Sequence, residues 1–205
     1  MSDSVIFKTG TGIYADMMDA TEKLDSSYCT KFSYQLVHDK KDYSEFVQAG
    51  RHFKKYLAIA LQLQRMKDGQ ELIVADADTA IGLRAPFPHG DELSAVHCEC
   101  LGSRTFCDSV IIMRVTDSIR RIFSSAFFNG PINGDTGKFA NVARFRREIE
   151  VNNIFVNPLS RRFNTFRNLW DGQDTDLVLH WAVMDKQLAL TEMKTFCERA
   201  LNNGN

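Results

Sequence analysis

The stretch TFCDSVIIMRVTDSIRRIFSSAFF, residues 105–128, decides the fold class of this chain. Its apolar residues recur at the spacing of an α-helix, which places them on one face: Ile112, Val115, Ile119, Ile122, Phe123 and Ala126. Arg114 and Arg121, seven residues apart, would lie on one flank of that helix. The spacing therefore predicts a single helix over the whole stretch, and with it a helical C-terminal half.

Outward from this stretch, the sequence predicts a mostly α fold of about six helices. The other predicted helices cover residues 15–24, 42–67, 139–152, 158–170 and 176–201. The helix over 158–170 depends on Asn157-Pro158 as its start and on the stripe of Leu159, Phe163, Phe166 and Trp170. A minor β portion is expected around residues 28–37, where side chains alternate, and around 70–101.

The chain shows no internal repeat and no linker, so we expect a single compact domain over residues 1–205, with room for two lobes. Within it, residues 1–100 form an acidic α/β part, and residues 101–205 a helical part with a basic block at 101–170. With 44% hydrophobic and 25% charged residues and only four prolines, the composition is that of a globular protein.

The five cysteines are odd in number and irregularly spaced, which favours free thiols in a reducing compartment. The N-terminal sequence MSDSVIFKTG has neither the basic flank nor the apolar core of a signal peptide. No apolar run approaches the ~20 residues that a membrane helix needs. We therefore expect a cytoplasmic protein without a membrane segment, which could act within a nucleoprotein particle.

Positive charge is concentrated in residues 101–170, which hold 11 Lys or Arg against 5 Asp or Glu; ten of the 11 are arginine. Arginine binds phosphate with two parallel hydrogen bonds and stacks on bases, and phenylalanines and asparagines lie between these arginines. The alternative is a solvated helix face, because Arg144 and Arg146 each precede a glutamate by four residues. The predicted nucleic-acid-binding residues are Arg144, Arg146, Arg147, Arg161, Arg162 and Arg167.

Two segments contain residues that could bind a metal. Asp76 and Asp78 follow a short apolar run and, with Glu99, could hold magnesium, although carboxylates at the end of a strand are more often solvated turn residues. His97-Cys98-Glu99-Cys100 resembles part of a zinc deaminase motif but has no downstream Pro-Cys-x-x-Cys. Histidines 38, 52, 89 and 180 are scattered and indicate no site. We therefore predict no metal, no other cofactor and no catalytic residue.

These patterns favour a non-enzymatic subunit that binds RNA or single-stranded nucleic acid and self-associates, as in a nucleoprotein or capsid-like complex. Two alternatives stay open. In the first, the arginines bind protein, and the chain is an assembly subunit without nucleic acid. In the second, it is a metal-dependent nuclease that uses Asp76, Asp78 and Glu99.

Overall fold

The computed structural model describes residues 4–46, 53–98, 105–132, 140–182 and 184–203, and over these ranges the chain is a mixed α/β protein. The strands are β1 (Ser4–Thr9), β2 (Gln35–Asp39), β3 (Glu71–Ala75), β4 (Thr79–Ile81), β5 (Leu93–Cys98), β6 (Thr105–Arg114), β7 (Asn157–Leu159), β8 (Thr165–Phe166) and β9 (Val178–His180). The α-helices are α1 (Ile13–Phe32), α2 (Lys54–Arg65), α3 (Asp117–Asn129), α4 (Ala140–Val151) and α5 (Lys186–Asn202).

Two sheets organise the described elements. The larger sheet has the strand order β2-β1-β3-β6-β5-β7, and the smaller sheet has the order β4-β9-β8. Strands β2, β1 and β3 are parallel, whereas β6 runs antiparallel to both β3 and β5. Because β1, β2 and β3 are parallel, their carboxyl ends lie along one edge of the larger sheet, which is where ligands bind in open α/β sheets.

The two faces of the larger sheet are covered differently. Val74 and Ile111 belong to a core shared with α2, α3 and α4, which includes Phe145. On the opposite face, Ile73 packs with Val178 of the smaller sheet. A third core joins the far side of the smaller sheet to helices α1 and α5. The described residues thus form layers of helices, sheet, smaller sheet and helices, each of which buries its apolar side against the next.

The predicted mostly α fold is wrong, and the stretch 105–128 shows why. Residues 105–114 form β6 in the interior of the larger sheet, where Val110–Met113 are buried on both faces between β3 and β5. A short, β-branched apolar run is compatible with both a buried strand and a helix, so spacing alone misassigned it. The helix begins only after Thr116, whose side-chain oxygen accepts a hydrogen bond from the Ile119 amide at 3.2 Å.

Three other predicted segments also differ. Tyr28–Phe32 lie in α1, which ends at Ser33 in the left-handed conformation, and the strand follows at β2. Residues 157–170 contain the short strands β7 and β8 and single 3₁₀ turns in place of a helix. The last helix begins at Lys186 because Asp185 caps it, and residues 178–180 form β9. The short apolar run at Glu71–Ala75, within the predicted β portion, forms β3.

None of the helices within the described ranges is long and apolar enough to span a membrane. The arrangement of the chain as one domain remains a prediction.

Candidate functional site

Two carboxylates leave the larger sheet at the edge where its parallel strands end. Asp76 directly follows β3, and Asp78 directly precedes β4. The turn between them is held by the backbone, because the Asp76 amide donates to the Ser109 carbonyl at 2.8 Å and the Thr79 amide donates to the Asp76 carbonyl at 3.1 Å. The connection is only three residues long, so both carboxylates stay at this edge.

The pairing of β4 with β9 brings His180 to the same place. Thr79 lies opposite His180 in the antiparallel register, and the Trp181 amide donates to the Asp78 carbonyl at 3.0 Å. The His180 Nε2 atom lies 3.3 Å from Asp78 Oδ1. One donor atom from each of Asp76, Asp78 and His180 lies within 4.8 Å of the other two. The ring of Phe166 packs on the imidazole with centroids 5.1 Å apart and limits its movement.

Lys186, the first residue of α5, contacts the second oxygen of Asp78. Its Nζ atom lies 2.8 Å from Asp78 Oδ2 and 5.1 Å from the centre of the Tyr14 ring. Burial alone would raise the pKa of the Asp78 carboxyl, but His180 and Lys186 together lower it well below its ordinary value. Burial lowers the pKa of Lys186, but Asp78 outweighs burial and raises it. Asp78 is therefore an anion over the whole physiological pH range.

Asp76 faces a second lysine. Lys55 of α2 places Nζ 2.6 Å from Asp76 Oδ1 and 3.5 Å from Asp108 Oδ2. Asp108 also accepts hydrogen bonds from the Tyr56 hydroxyl at 3.0 Å and from the Asn141 amide at 3.3 Å. Burial raises the pKa of Asp76, and Asp108 raises it further, against the opposing effect of Lys55. Despite the burial of Lys55, its pKa is raised because Asp108 and Asp76 stabilise the charged form.

The loop after β1 closes over the aspartate turn. A Cβ atom at Gly10 would lie 2.6 Å from Tyr14 Cβ and 3.0 Å from Ala77 Cβ, so only glycine permits this approach. The Gly10 amide also donates to the Asp39 carbonyl at 3.1 Å, at the end of β2. The ends of β1, β2 and β3 therefore border the same site as His180 and Lys186.

The donor set fits a divalent metal ion that prefers oxygen ligands. Two carboxylates and one imidazole suit Mn²⁺ or Mg²⁺ in near-octahedral coordination, where adjacent ligand atoms lie about 3 Å apart. The 3.3 Å between His180 Nε2 and Asp78 Oδ1 is close to that separation. His180 Nδ1 is buried and has no hydrogen-bond partner among the described residues. A metal-bound histidine usually donates this second N–H to a partner, and a bound water could accept it here.

Two of these residues, Asp76 and Asp78, were named from the sequence only within the nuclease alternative, and the third was set aside. Asp76 and Asp78 do lie together, whereas Glu99, grouped with them, falls outside the described residues. His180 was dismissed as a scattered histidine, because nothing in its sequence spacing links it to Asp78. Of the cysteine segment, His97 is exposed, and Cys107 contacts the Ser109 hydroxyl at 3.1 Å. Cys100 and the Cys98 side chain also lie outside the described residues.

The arginine block is largely paired with carboxylates. Arg146 lies 3.0 Å from Glu150, and Arg144 lies 3.4 Å from Glu148, as the four-residue spacing predicted. The remaining ion pairs are Arg147–Glu150 at 3.9 Å, Arg162–Asp176 at 3.1 Å and Arg167–Glu192 at 2.5 Å. Arg161 lies exposed in the 3₁₀ turn Arg161–Phe163. Much of this positive charge is therefore offset within the protein.

In three dimensions the chain resembles glycosyltransferases. A glycosyltransferase involved in the glycosylation of the major capsid of PBCV-1 matches 94% of this chain and 98% of its own, with a TM-score of 0.70 and 13% identity. The galactosyltransferase LgtC, in complex with donor and acceptor sugar analogues, matches with a TM-score of 0.56 and 11% identity over 97% of this chain and 95% of LgtC. The glycosyltransferase GlyE of Streptococcus pneumoniae TIGR4 has a TM-score of 0.56 and 11% identity; the match covers 95% of this chain and 64% of GlyE.

In sequence, no protein-family model and no curated protein matches the chain. At these low identities, the structural likeness shows the fold alone, a mixed α/β arrangement like the GT-A fold of glycosyltransferases.

This likeness contradicts the function predicted from sequence. The solved structures named above are glycosyltransferases, which conflicts with an RNA-binding structural subunit, a nucleoprotein component and a self-assembling capsid-like protein. The two alternatives, a protein-binding assembly subunit and a nuclease, are contradicted on the same ground. The error arose from the charge segregation, because helical ion pairs and nucleic-acid contacts draw on the same arginines.

Proposed function

We propose that this chain is a metal-dependent glycosyltransferase whose donor is a nucleoside-diphosphate sugar. The observation that carries the proposal is the meeting of Asp76, Asp78 and His180 with Lys186, at the carboxyl ends of three parallel strands. The fold likeness to glycosyltransferases supports it. A diphosphate needs cations around its oxygens, and this group of residues supplies one ammonium and a place for a divalent ion.

Different residues of the site would bind the metal ion, the diphosphate and the nucleoside of the donor. Asp76, Asp78 and His180 would hold the metal ion, which when bound neutralises the diphosphate and so favours its departure. Lys186 can exchange its contact with Asp78 for a diphosphate oxygen, because its side chain is partly exposed. The loop at residues 9–12 and the end of β2 border the same edge and would receive the nucleoside.

The reaction replaces one bond at the anomeric carbon by another. The bond between that carbon and the diphosphate oxygen breaks, and its electron pair leaves with the nucleoside diphosphate. A hydroxyl oxygen of the acceptor bonds to the carbon, and the hydroxyl proton passes to solvent water. Lys55, Asp108 and Asn141 form a hydrogen-bonded group beside Asp76, and they would hold that carboxylate in place.

The proposal is tested by donor binding and turnover. Purified protein is titrated with UDP-, GDP- and ADP-sugars in the presence of Mn²⁺, Mg²⁺ or EDTA, with calorimetry for binding and release of nucleoside diphosphate for turnover. We expect at least one donor to bind only with the metal and to be hydrolysed slowly, with water as the acceptor. Asp78→Asn should abolish this metal-dependent binding.

Asp117→Asn is the matched control, because Asp117 is highly exposed at the start of α3. This variant should behave like the wild type. Failure of every donor to bind with either metal, or equal donor binding by Asp78→Asn, would show the proposal to be wrong.

A further inference from the structure

A buried ion pair lies directly behind the aspartate turn. The Lys8 ammonium and the Asp25 carboxylate are both inaccessible to solvent, and Nζ lies 2.5 Å from Asp25 Oδ2. Lys8 points from β1 towards α1, where the Thr21 hydroxyl accepts from Nζ at 3.2 Å and donates to Asp25 Oδ2 at 2.8 Å. Burying two charges is costly unless their remaining hydrogen-bonding positions are also used, so the other partners of this pair are informative.

Those other partners are backbone groups of β4. The Lys8 ammonium donates to the Thr79 carbonyl at 2.8 Å, and Asp25 Oδ1 accepts from the Ile81 amide at 3.2 Å. Thr79 is the residue immediately after Asp78. The ion pair therefore holds both ends of the three-residue strand that begins at the candidate metal site.

Strand geometry explains why these groups are available. Within the described residues, β4 is an edge strand of the smaller sheet and has β9 as its neighbour there. The Asp78 carbonyl and the Gly82 amide form hydrogen bonds on the side of β4 that faces β9. In an antiparallel pair, successive residues direct their backbone groups to alternate sides, so those of Thr79 and Ile81 point away from β9. Lys8 and Asp25 take the place of a missing neighbouring strand, one as donor and the other as acceptor.

We propose that the Lys8–Asp25 pair is a positioning device that fixes β4, and through it holds Asp78 and His180 at the separation a metal ion needs. His180 depends on it because the Trp181 amide, directly after His180, donates to the Asp78 carbonyl of the residue next to Thr79. A three-residue strand with one neighbour has few hydrogen bonds of its own, so the pair determines how rigidly it is held. This inference rests on the proposed metal site.

The test compares metal affinity with folding. In Lys8→Met combined with Asp25→Leu, apolar side chains replace the whole pair, a change that often leaves stability unaltered or improved. Mn²⁺ affinity is measured by electron paramagnetic resonance well below the melting temperature, and folding by circular dichroism. Loss of groups that orient a metal ligand typically costs 10–100-fold in affinity, and we expect a fall of about tenfold or more with the fold retained.

A matched control removes an ion pair far from the site. Arg120 pairs with Asp68 near the start of β3, at the opposite end of that strand from Asp76. Arg120→Met combined with Asp68→Asn should leave Mn²⁺ affinity unchanged, whatever it does to the melting temperature. A purely structural role for Lys8 and Asp25 predicts the same behaviour for both double variants.

The outcomes separate the two proposals. If the wild type does not bind Mn²⁺, the metal site itself is wrong. If the wild type binds and the folded Lys8→Met/Asp25→Leu variant binds equally well, the positioning role is wrong. Should that variant not fold, Lys8→Met combined with Asp25→Asn provides the same comparison, because it removes both charges and keeps the shape of the Asp25 side chain. Wild-type Mn²⁺ affinity in that folded double variant would overturn the inference.

Discussion

The Lys55 ammonium lies 2.6 Å from Asp76 Oδ1, on a carboxylate that the proposed metal ion would also bind. The same Nζ atom lies 3.5 Å from the buried Asp108, so one half-buried cation lies between a half-buried carboxylate and a buried one. Like charges at this range repel strongly where water is scarce. Lys55 therefore stabilises the arrangement of the site and should also influence how strongly the site attracts a second cation.

Replacing Lys55 by methionine tests this relationship. Without the ammonium, Asp76 and Asp108 face each other unpaired, and we expect the metal-free protein to lose about 3 kcal/mol of unfolding free energy, the lower end of the range for broken buried pairs. Added Mn²⁺ should then raise the melting temperature by more than it does in the wild type, because it replaces the missing charge. Lys54→Met is the control, since the neighbouring Lys54 pairs with the exposed Asp42. Equal Mn²⁺ stabilisation of Lys55→Met and wild type would contradict this prediction.

Lys186→Met should separate diphosphate binding from metal binding. A charge-assisted hydrogen bond contributes about 1.5–3 kcal/mol, so we expect nucleoside-diphosphate affinity to fall by about tenfold or more. Mn²⁺ affinity should not fall, because removing Lys186 leaves Asp78 Oδ2 without a competing cation. Calorimetric titrations with Mn²⁺ alone and then with UDP measure the two effects. Lys194→Met, on the exposed side of the same helix, should change neither, and an unaltered UDP affinity in Lys186→Met would exclude a phosphate role.

Only some residues of the candidate site could be recognised as candidates from the sequence. Asp76 and Asp78 could be predicted because they directly follow a short apolar strand, where carboxylates project from the edge of a sheet. His180 and Lys55 could not, because their proximity to the aspartates depends on the β4–β9 pairing and on the packing of α2. Tertiary contacts of this kind leave no periodic pattern in the chain.

The fold was mispredicted where apolar spacing fits two structures. The helical spacing across residues 105–128 is real for α3, but the apolar run before it is a strand covered on both faces. Leu159, Phe163, Phe166 and Trp170 are four, three and four residues apart, a spacing that likewise predicts a helix. In the structure, Phe163 packs on Phe87 and Phe166 packs on His180. Because the two phenylalanines contact different parts of the protein, they do not lie on one face of a helix. Packing overrides local preference in both segments.

His38 should make the protein less stable in mild acid. Burial lowers the pKa of His38 below its ordinary value of 6.5, and the charges of Lys8 and Lys40 lower it further. Asp25 and Glu22 oppose this shift without reversing it. As the pH falls below about 6.5, the unfolded chain takes up this proton before the folded protein does, so stability is lost from there down to the lower folded pKa. His38→Gln should therefore show a smaller drop in melting temperature between pH 7.5 and pH 5.5. Parallel pH profiles for the two proteins would contradict the assignment.

The two tryptophans should differ in their contributions to stability. Trp181 is fully buried, packs edge-on against Phe196 with centroids 5.8 Å apart, and donates its indole N–H to Glu192 at 3.1 Å. Trp170 is half-buried, and Arg167 lies over its ring. Truncating a buried aromatic typically costs about 3–5 kcal/mol. We expect Trp181→Ala to fall in that range and Trp170→Ala to cost about half as much or less, measured by urea unfolding monitored by circular dichroism.

Iodide should quench Trp170 fluorescence in Trp181→Phe, and it should leave Trp181 fluorescence in Trp170→Phe largely unaffected. Equal unfolding costs or equal quenching would contradict the burial of Trp181 against Phe196 of α5.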